Sequence, residues 1–241
     1  TVLVLCGGPD ARPDSLVSLF HASGPGAVNY DTVNANDGDL VDTYIFDHLI
    51  RTVDALALSA PFPRPPCTPF SVLHPRPGLG SPPMVTATGP ERYGIRGLPP
   101  KTTERVKAMM LVCIRVAIII KRFFLAKRPV LFETAGFMYE GQTSVFNLDE
   151  YVEIRAMNGV RITNGVQCPF NATVAKKTSW LSYRVDVSDM PPRCPHKKRE
   201  WFSNKNNRRI VAAHPPSHGD ESFSSTRRTP QQLACWRPDG F

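Results

Sequence analysis

The chain has 241 residues, of which 41% are hydrophobic and 21% are charged. It is therefore long enough to bury one sizeable core, and its composition excludes a collagen-like repeat, a coiled coil and a wholly disordered chain. The most apolar stretch, residues 108–126, carries Arg115, Lys121 and Arg122, which argues against a membrane-spanning helix. Six cysteines without a C-x-x-C pair, and no secretory signal at the start, predict an intracellular protein with reduced thiols and no disulfide-linked partner.

The net charge of +8 is unevenly distributed along the chain. Residues 1–60 carry a net charge of −6, residues 61–186 carry +9 and residues 187–241 carry +5. An acidic first part followed by a basic remainder predicts two different ligands, one small and partly cationic and the other a polyanion such as nucleic acid. The charge alone leaves open a generally basic surface without a specific partner.

The first part of the chain alternates between predicted strands and helices. Residues 2–5 form a continuous apolar run that ends in Cys6-Gly7-Gly8, which is typical of a buried strand followed by a glycine turn. The elements predicted next are a helix over residues 15–22, a strand over 27–30, a helix over 43–51 and a buried strand over 53–58. This alternation predicts an α/β fold with parallel βαβ units and right-handed crossovers.

The second part begins with a proline-rich segment, residues 61–100, which is too long for a simple connection and which we interpret as a functional loop. The elements predicted after it are a long helix over 101–127, a fourth strand over 129–132, a helix over 148–157 and a closing antiparallel pair over 160–167 and 179–186. We therefore predict one domain over residues 1–186. The tail, residues 187–241, is predicted to be basic, proline-rich and loosely ordered.

Chemically versatile residues follow the predicted strands. Gly7-Gly8 follows the first strand, Asp31 the second, Cys67 lies beyond the third, and Glu133 ends the fourth. In an open parallel sheet, ligands bind at the carboxyl ends of the strands, and an acid after the second strand can accept hydrogen bonds from both hydroxyls of a ribose. Taken singly, these residues have plainer interpretations: a tight turn, an inert buried thiol and a surface acid.

The segment Pro66-Cys67-Thr68-Pro69-Phe70-Ser71 resembles the Pro-Cys-Gln-Pro-Phe-Ser motif of cytosine-5 DNA methyltransferases, with Thr68 in place of Gln. Further segments resemble motifs of that family and occur in its order: Leu5-Cys6-Gly7-Gly8-Pro9 (cofactor loop), Asp31 (ribose acid), Asp39-Leu40 (adenine contact), Phe132-Glu133-Thr134 (Phe-Glu-Asn), and Gln167-Cys168-Pro169-Phe170 with Lys176-Lys177-Thr178 (a basic motif of compact phage- and retroelement-type relatives). The resemblance extends over residues 1–186.

The resemblance implies a Rossmann-like, S-adenosylmethionine-dependent methyltransferase fold, with a mostly parallel sheet and an antiparallel closing pair. Cys67 would add as a thiolate to carbon 6 of cytosine, because carbon 5 is by itself a poor nucleophile. Glu133 would donate a proton at N3 of the ring. The cofactor S-adenosylmethionine would supply the methyl group and contact Cys6, Gly7, Gly8, Asp31, Asp39 and Leu40.

The expected partner is DNA, with RNA left open, and the target base would have to leave the duplex. Such a protein would be nuclear in a eukaryotic cell. The residues expected to contact nucleic acid are Ser71, Lys176 and Lys177 and, in the tail, Lys197, Lys198 and Arg199. Trp201 and Phe202 follow these basic residues and could stack on bases.

Three alternatives stay open at this point. One is a non-catalytic nucleic-acid-binding domain on the same fold, consistent with the substitutions at Thr68 and Thr134 and with lysines where the family has arginines. Another is an amino-group (N4 or N6) DNA methyltransferase, because Ser59-Ala60-Pro61-Phe62 loosely resembles the Asp/Ser-Pro-Pro-aromatic motif of those enzymes. The third is a zinc site in the tail, with the candidate ligands Cys194, His196, His214 and His218. Because the spacing of these residues is loose, we predict no metal.

Overall fold

A computed structural model describes residues 1–7, 15–31, 39–70, 83–136, 141–166, 177–190, 195, 199–203 and 208–212. Three parallel strands form a first sheet in the order β2-β1-β3: β1 (Val2–Leu5), β2 (Ala27–Tyr30) and β3 (Ala60–Pro63). Two helices accompany them in the chain, α1 (Leu16–Ala22) between β1 and β2 and α2 (Thr43–Asp54) between β2 and β3. The alternating apolar runs and helices therefore fold into the predicted parallel βαβ unit.

A second sheet is antiparallel, in the order β4-β6-β5. Its strands and the neighbouring helices are α3 (Pro100–Leu125), β4 (Val130–Ala135), α4 (Asp149–Ala156), β5 (Val160–Val166) and β6 (Lys177–Tyr183). A separate antiparallel hairpin consists of β7 (Arg199–Ser203) and β8 (Arg208–Ala212). The α/β class and the antiparallel pairing of β5 with β6 are confirmed. The predicted mostly parallel sheet is replaced, in the described residues, by one three-stranded parallel sheet and one three-stranded antiparallel sheet.

Strands β3 and β4 contact each other where the two sheets meet. The Arg128 side chain donates a hydrogen bond to the carbonyl of Leu58 before β3, and Arg64 forms an ion pair with Glu133 beyond the other end of β3. Residue numbers increase in the same direction along both strands, from Leu58 to Arg64 and from Arg128 to Glu133. Strands β3 and β4 therefore run parallel. The carboxyl end of β3 therefore lies beside the second half of β4.

The two faces of the sheets are covered differently. On one face, α2, α3 and α4 pack over Leu3 and Leu5 of β1 and Phe132 of β4, and all of these belong to one buried core. On the other face, α1 brings Phe20 against Phe62, which packs with the small cluster of Leu131, Trp180 and Val187. Among the described helices, none combines the length and apolar character needed to cross a membrane.

The predicted third strand, residues 53–58, is wrong. Val53 is the buried end of α2, the helix ends at Asp54, and Leu56 turns the chain with a φ of 59°. The observed strand β3 lies at Ala60–Pro63, in a stretch whose prolines argue against a strand because they lack a backbone N–H. Packing between β1 and β4 therefore outweighs the local preference.

Two further boundaries differ from the predictions. Strand β4 continues to Ala135, so that Glu133 lies inside it and pairs with Trp180 of β6. Within the tail, predicted to be loosely ordered, β7 and β8 form a ladder in which Trp201 pairs with Ile210. The aromatic residues of β7 and the β-branched residues of β8 favour such a hairpin despite the high charge around it.

Candidate active site

Three strand ends and one position inside a fourth strand meet along one edge of the two sheets. Because β1, β2 and β3 are parallel, the residues that follow them, Cys6, Asp31 and Arg64, leave the sheet on the same side. Glu133 of β4 reaches the same edge through its contact with Arg64. We call this edge the carboxyl edge. The structure thus brings together Cys6, Asp31 and Glu133, which the sequence analysis selected separately, and adds Arg64.

Cys67 lies in a turn that has buried residues on both sides. Pro69 and Phe70 are buried in the 3-10 turn Thr68–Phe70, with only 2% of Phe70 exposed, and Pro65 on the other side is buried as well. The backbone N–H of Phe70 donates to the carbonyl of Cys67 at 3.0 Å and closes the turn. Cys67 itself is exposed. The apolar residues of the motif therefore hold the turn in place and leave the thiol at the surface.

Glu133 is a buried carboxylate held by an arginine that the sequence analysis missed. Arg64 Nε lies 3.1 Å from Glu133 Oε2, and Arg64 Nη2 donates to Oε1 at 3.4 Å. The carboxylate side chain is 8% exposed and the Arg64 side chain 34%. Two parallel contacts from a guanidinium fix the plane of a carboxylate as well as its position. Arg64 stands three residues before Cys67, so the same short segment carries the thiol and orients the acid.

The end of β1 makes a tight reversal at Cys6 and Gly7. Cys6 has a φ of 57°, a left-handed conformation uncommon for a residue with a side chain. At Gly7 a Cβ atom would lie 2.5 Å from Val4 Cγ1 and 2.9 Å from Asn29 Oδ1, and the Gly7 N–H donates to Asn29 Oδ1 at 3.2 Å. Only glycine fits between β1 and β2 here, in agreement with the predicted close turn.

The thiol of Cys6 differs from that of Cys67. Burial raises the pKa of Cys6 to about 12, and the nearby carboxylate of Asp31 adds to the rise. Asp31, the predicted ribose acid, therefore lies close to the loop that follows β1. Burial also raises the pKa of Cys113 in α3, with smaller contributions from Cys6 and Cys67. Among the three cysteines in the described part of the chain, only Cys67 is exposed.

The Asp39-Leu40 pair lies in a turn that packs against α3. Asp39 Oδ1 accepts a hydrogen bond from the Val41 N–H at 2.8 Å. The side chain of Leu40 is 1% exposed and belongs to the large core. A ligand at this turn would therefore meet the Asp39 carboxylate and backbone groups rather than the Leu40 side chain. The turn is held by Arg115, a second residue that the sequence analysis did not select as functional.

Of the residues expected to bind nucleic acid, one has a described side chain. Lys177 is exposed at the first position of β6, and its carbonyl accepts a hydrogen bond from the Gly136 N–H at 3.0 Å just beyond β4. Because β4 and β6 are antiparallel, Lys177 lies at the carboxyl edge on the Glu133 side. The predicted residues outside the described ranges are Gly8, Ser71, Lys176, Lys197 and Lys198, and Arg199 is described only as the first position of β7.

The segment that loosely resembles the amino-methyltransferase motif, residues 59–62, overlaps strand β3. Phe62, its aromatic residue, lies inside β3 rather than beyond its end. Its ring packs edge-on against Phe20, with 6.3 Å between ring centroids, and it contacts the cluster around Trp180. An aromatic residue held in this way is not available to stack on a flipped base, which disfavours this alternative.

The described residues contain no cluster of three or more His, Cys, Asp or Glu side chains suited to a metal ion. The tail residues considered for zinc, Cys194, His196, His214 and His218, lie outside the described ranges. Compared with protein-family models and with curated proteins, the chain matches none. The functional assignment therefore depends on the residues of the carboxyl edge themselves.

Proposed function

We propose that the chain is a cytosine-5 DNA methyltransferase-like domain that uses Cys67 as its nucleophile and Glu133 as its acid. The observation that carries this proposal is the pairing at the carboxyl edge: an exposed thiol on an anchored turn, and, three residues before it, the arginine that grips a buried carboxylate. A nucleophile and a proton donor supplied by neighbouring strands can act on two positions of one ring.

The residues around the ends of β1 and β2 fit S-adenosylmethionine. Gly7 lets the backbone turn close to β2, and the Asp31 carboxylate lies near that turn. The carboxylates of Asp31 and Asp39 suit the ribose hydroxyls, the adenine amino group and the positive charge of the sulfonium. When bound, S-adenosylmethionine would supply the methyl group.

Within this proposal, the Cys67 thiolate forms a bond to carbon 6 of the cytosine, and the electron pair of the 5,6 double bond moves into the ring. A proton from Glu133 neutralises the charge that reaches N3. In this step the Glu133 carboxyl carries the proton that N3 receives. Once it has given that proton to N3, Arg64 stabilises the carboxylate that is left.

The distribution of charge supports a nucleic-acid substrate. The edge that carries Glu133 also carries the exposed Lys177, and residues 61–186 have a net charge of +9. Positive groups beside the site would contact phosphates and help to offset the few kcal/mol needed to unstack the target base. The alternative, a non-catalytic nucleic-acid-binding domain, shares this feature but requires neither the cofactor nor a reactive Cys67.

Cofactor binding separates the two functions. We expect calorimetry to detect binding of S-adenosylmethionine to the wild-type chain, and Asp31→Ala to weaken it at least about tenfold because a carboxylate partner is lost. The matched control is Asp47→Ala, which removes an exposed acid of α2 and should leave the affinity unchanged. Failure of the wild type to bind would contradict the methyltransferase proposal and favour the non-catalytic alternative.

A further inference from the structure

Helix α3 carries a buried guanidinium that reaches out of the helix to one turn. Arg115 is 8% exposed. Its Nη1 donates to the carbonyls of Leu40 at 2.6 Å and Asp42 at 3.0 Å, and its Nη2 donates to Thr43 Oγ1 at 2.9 Å. The guanidinium carbon lies 4.6 Å from the centre of the Phe46 ring. Arg115 therefore connects α3 to the turn before α2.

Burying an arginine in the core costs free energy. Removing a cation from water is unfavourable unless its N–H groups find partners, and apolar residues of similar volume often give a more stable protein. Here the three acceptors all belong to residues 40–43, which are 72 to 75 residues away in sequence. What the guanidinium provides is a fixed conformation of this turn.

The turn that Arg115 holds is the one that carries Asp39. Asp39 Oδ1 accepts from the Val41 N–H, and the Asp39 carbonyl accepts from the Asp42 N–H at 3.0 Å. The direction of the Asp39 carboxylate therefore depends on the backbone that Arg115 binds from inside. Two residues earlier in α3, Cys113 belongs to the buried core against which Cys6 packs, so this part of the helix lies beneath the carboxyl edge.

We propose that Arg115 is a positioning residue for the adenine end of S-adenosylmethionine. It does not touch the ligand; it holds the Leu40 and Asp42 carbonyls, and thereby the Asp39 carboxylate that would accept a hydrogen bond from the adenine amino group. This inference rests on the proposed function, since it assumes that the ligand at the carboxyl edge contains an adenine. It adds a residue that neither the motifs nor the helical pattern identifies as functional.

The test compares two variants of buried polar groups on or against α3. Arg115→Met keeps an unbranched side chain, replaces the guanidinium by an apolar group and removes its hydrogen bonds. The control, Tyr151→Phe, removes the buried hydrogen bond from the Tyr151 hydroxyl to the Cys113 carbonyl and leaves the 40–43 turn untouched. We expect Arg115→Met to weaken S-adenosylmethionine binding at least about tenfold, and Tyr151→Phe less than about twofold, in calorimetry with the full chain.

Amide hydrogen exchange supplies a readout that does not depend on the ligand. In Arg115→Met, the Val41 and Asp42 amides should exchange faster while those of β6 keep their protection; if this variant does not fold, Arg115→Lys replaces it, since lysine cannot reach all three acceptors. Equal S-adenosylmethionine affinities for the Arg115 variant and Tyr151→Phe, or unchanged exchange at Val41 and Asp42, would overturn the inference. No binding by the wild type would instead contradict the proposed function.

Discussion

The two sheets contribute to the site in opposite ways. We call the sheet of β1, β2 and β3 the parallel half, and the sheet of β4, β5 and β6 the antiparallel half. In the parallel half, Cys6, Asp31 and Cys67 all come after a strand has ended. The antiparallel half holds Glu133 inside a ladder, opposite Trp180, with its side chain almost fully buried. The parallel half therefore places its groups outside the strands, while the antiparallel half fixes one group in place.

The difference follows from how each ladder is connected. Parallel strands need crossovers, which leave loops at one common edge, whereas hydrogen bonds on both sides of β6 leave little freedom at neighbouring positions of β4. Arg64 joins the halves, because it follows β3 and binds the carboxylate of β4. In the proposed mechanism a reactive thiol needs access and an acid needs a defined direction, and the two halves provide these conditions for Cys67 and Glu133.

The largest effect should come from the fixed acid. We expect Glu133→Gln, which keeps the shape of the side chain but cannot give up a proton in the same way, to lower the rate of methyl transfer to DNA by about 10²–10⁴-fold. Binding of S-adenosylmethionine should stay within about twofold of wild type, because in the proposed mechanism Glu133 acts on the base and not on the cofactor. Transfer of tritiated methyl groups to DNA measures the rate, and unchanged transfer would remove Glu133 from the mechanism.

Thiol labelling tests directly whether Cys67, in the parallel half, is accessible. The pKa of Cys6 is raised to about 12 by burial and by Asp31, so at pH 8 Cys6 stays protonated, and a protonated thiol does not react with iodoacetamide. We expect Cys67 to be alkylated at least about 100-fold faster than Cys6 or Cys113 in the native protein, and the rate at Cys6 to rise with pH up to about 12. Mass spectrometry of the labelled peptides separates the sites. Comparable rates for Cys67 and Cys113 would mean that the Cys67 turn is not open.

A smaller effect is expected at the turn after β1. Gly7→Ala would bring a Cβ atom to 2.5 Å from Val4 Cγ1, and overpacking of this kind lowers the free energy of unfolding by about 1–3 kcal/mol. Gly26→Ala is the matched control before β2, because its Cβ atom would meet only Thr1 Oγ1 at 3.6 Å. Denaturant unfolding compares the two variants. If Gly7→Ala were no less stable than Gly26→Ala, the turn would not be closely packed.

The sequence predicts the parallel βαβ unit better than the contacts that join the two sheets at the candidate site. The apolar run at residues 2–5 and the spacing of α1 and α2 follow from local patterns, and the parallel βαβ unit follows from their alternation. Strand β3 does not, since Pro61 and Pro63 argue against a strand and only the contacts with β1 and β4 explain it. Short strands of this kind depend on tertiary packing.

The candidate site was predicted only in part, for a related reason. Cys67 and Glu133 could be selected because each lies in a recognisable local motif. Arg64 and Arg115 carry no such signal: the first binds a residue 69 positions away and the second a carbonyl 75 positions away. The sequence does indicate that both arginines need a partner, because each lies among apolar residues. Arg64 lies between Pro63 and Pro65, and Arg115 lies in the apolar centre of α3.

Covalent trapping on DNA that contains 5-fluorocytosine tests the central claim most directly. After Cys67 has added to carbon 6 and the methyl group has reached carbon 5, fluorine occupies the place of the proton that must leave before the thiol is released. We predict an adduct stable to denaturation that requires S-adenosylmethionine and maps to the peptide containing Cys67, and no adduct with Cys67→Ser. A folded wild-type protein that forms no adduct, or a Cys67→Ser variant that still forms one, would contradict the assignment of Cys67 as the nucleophile.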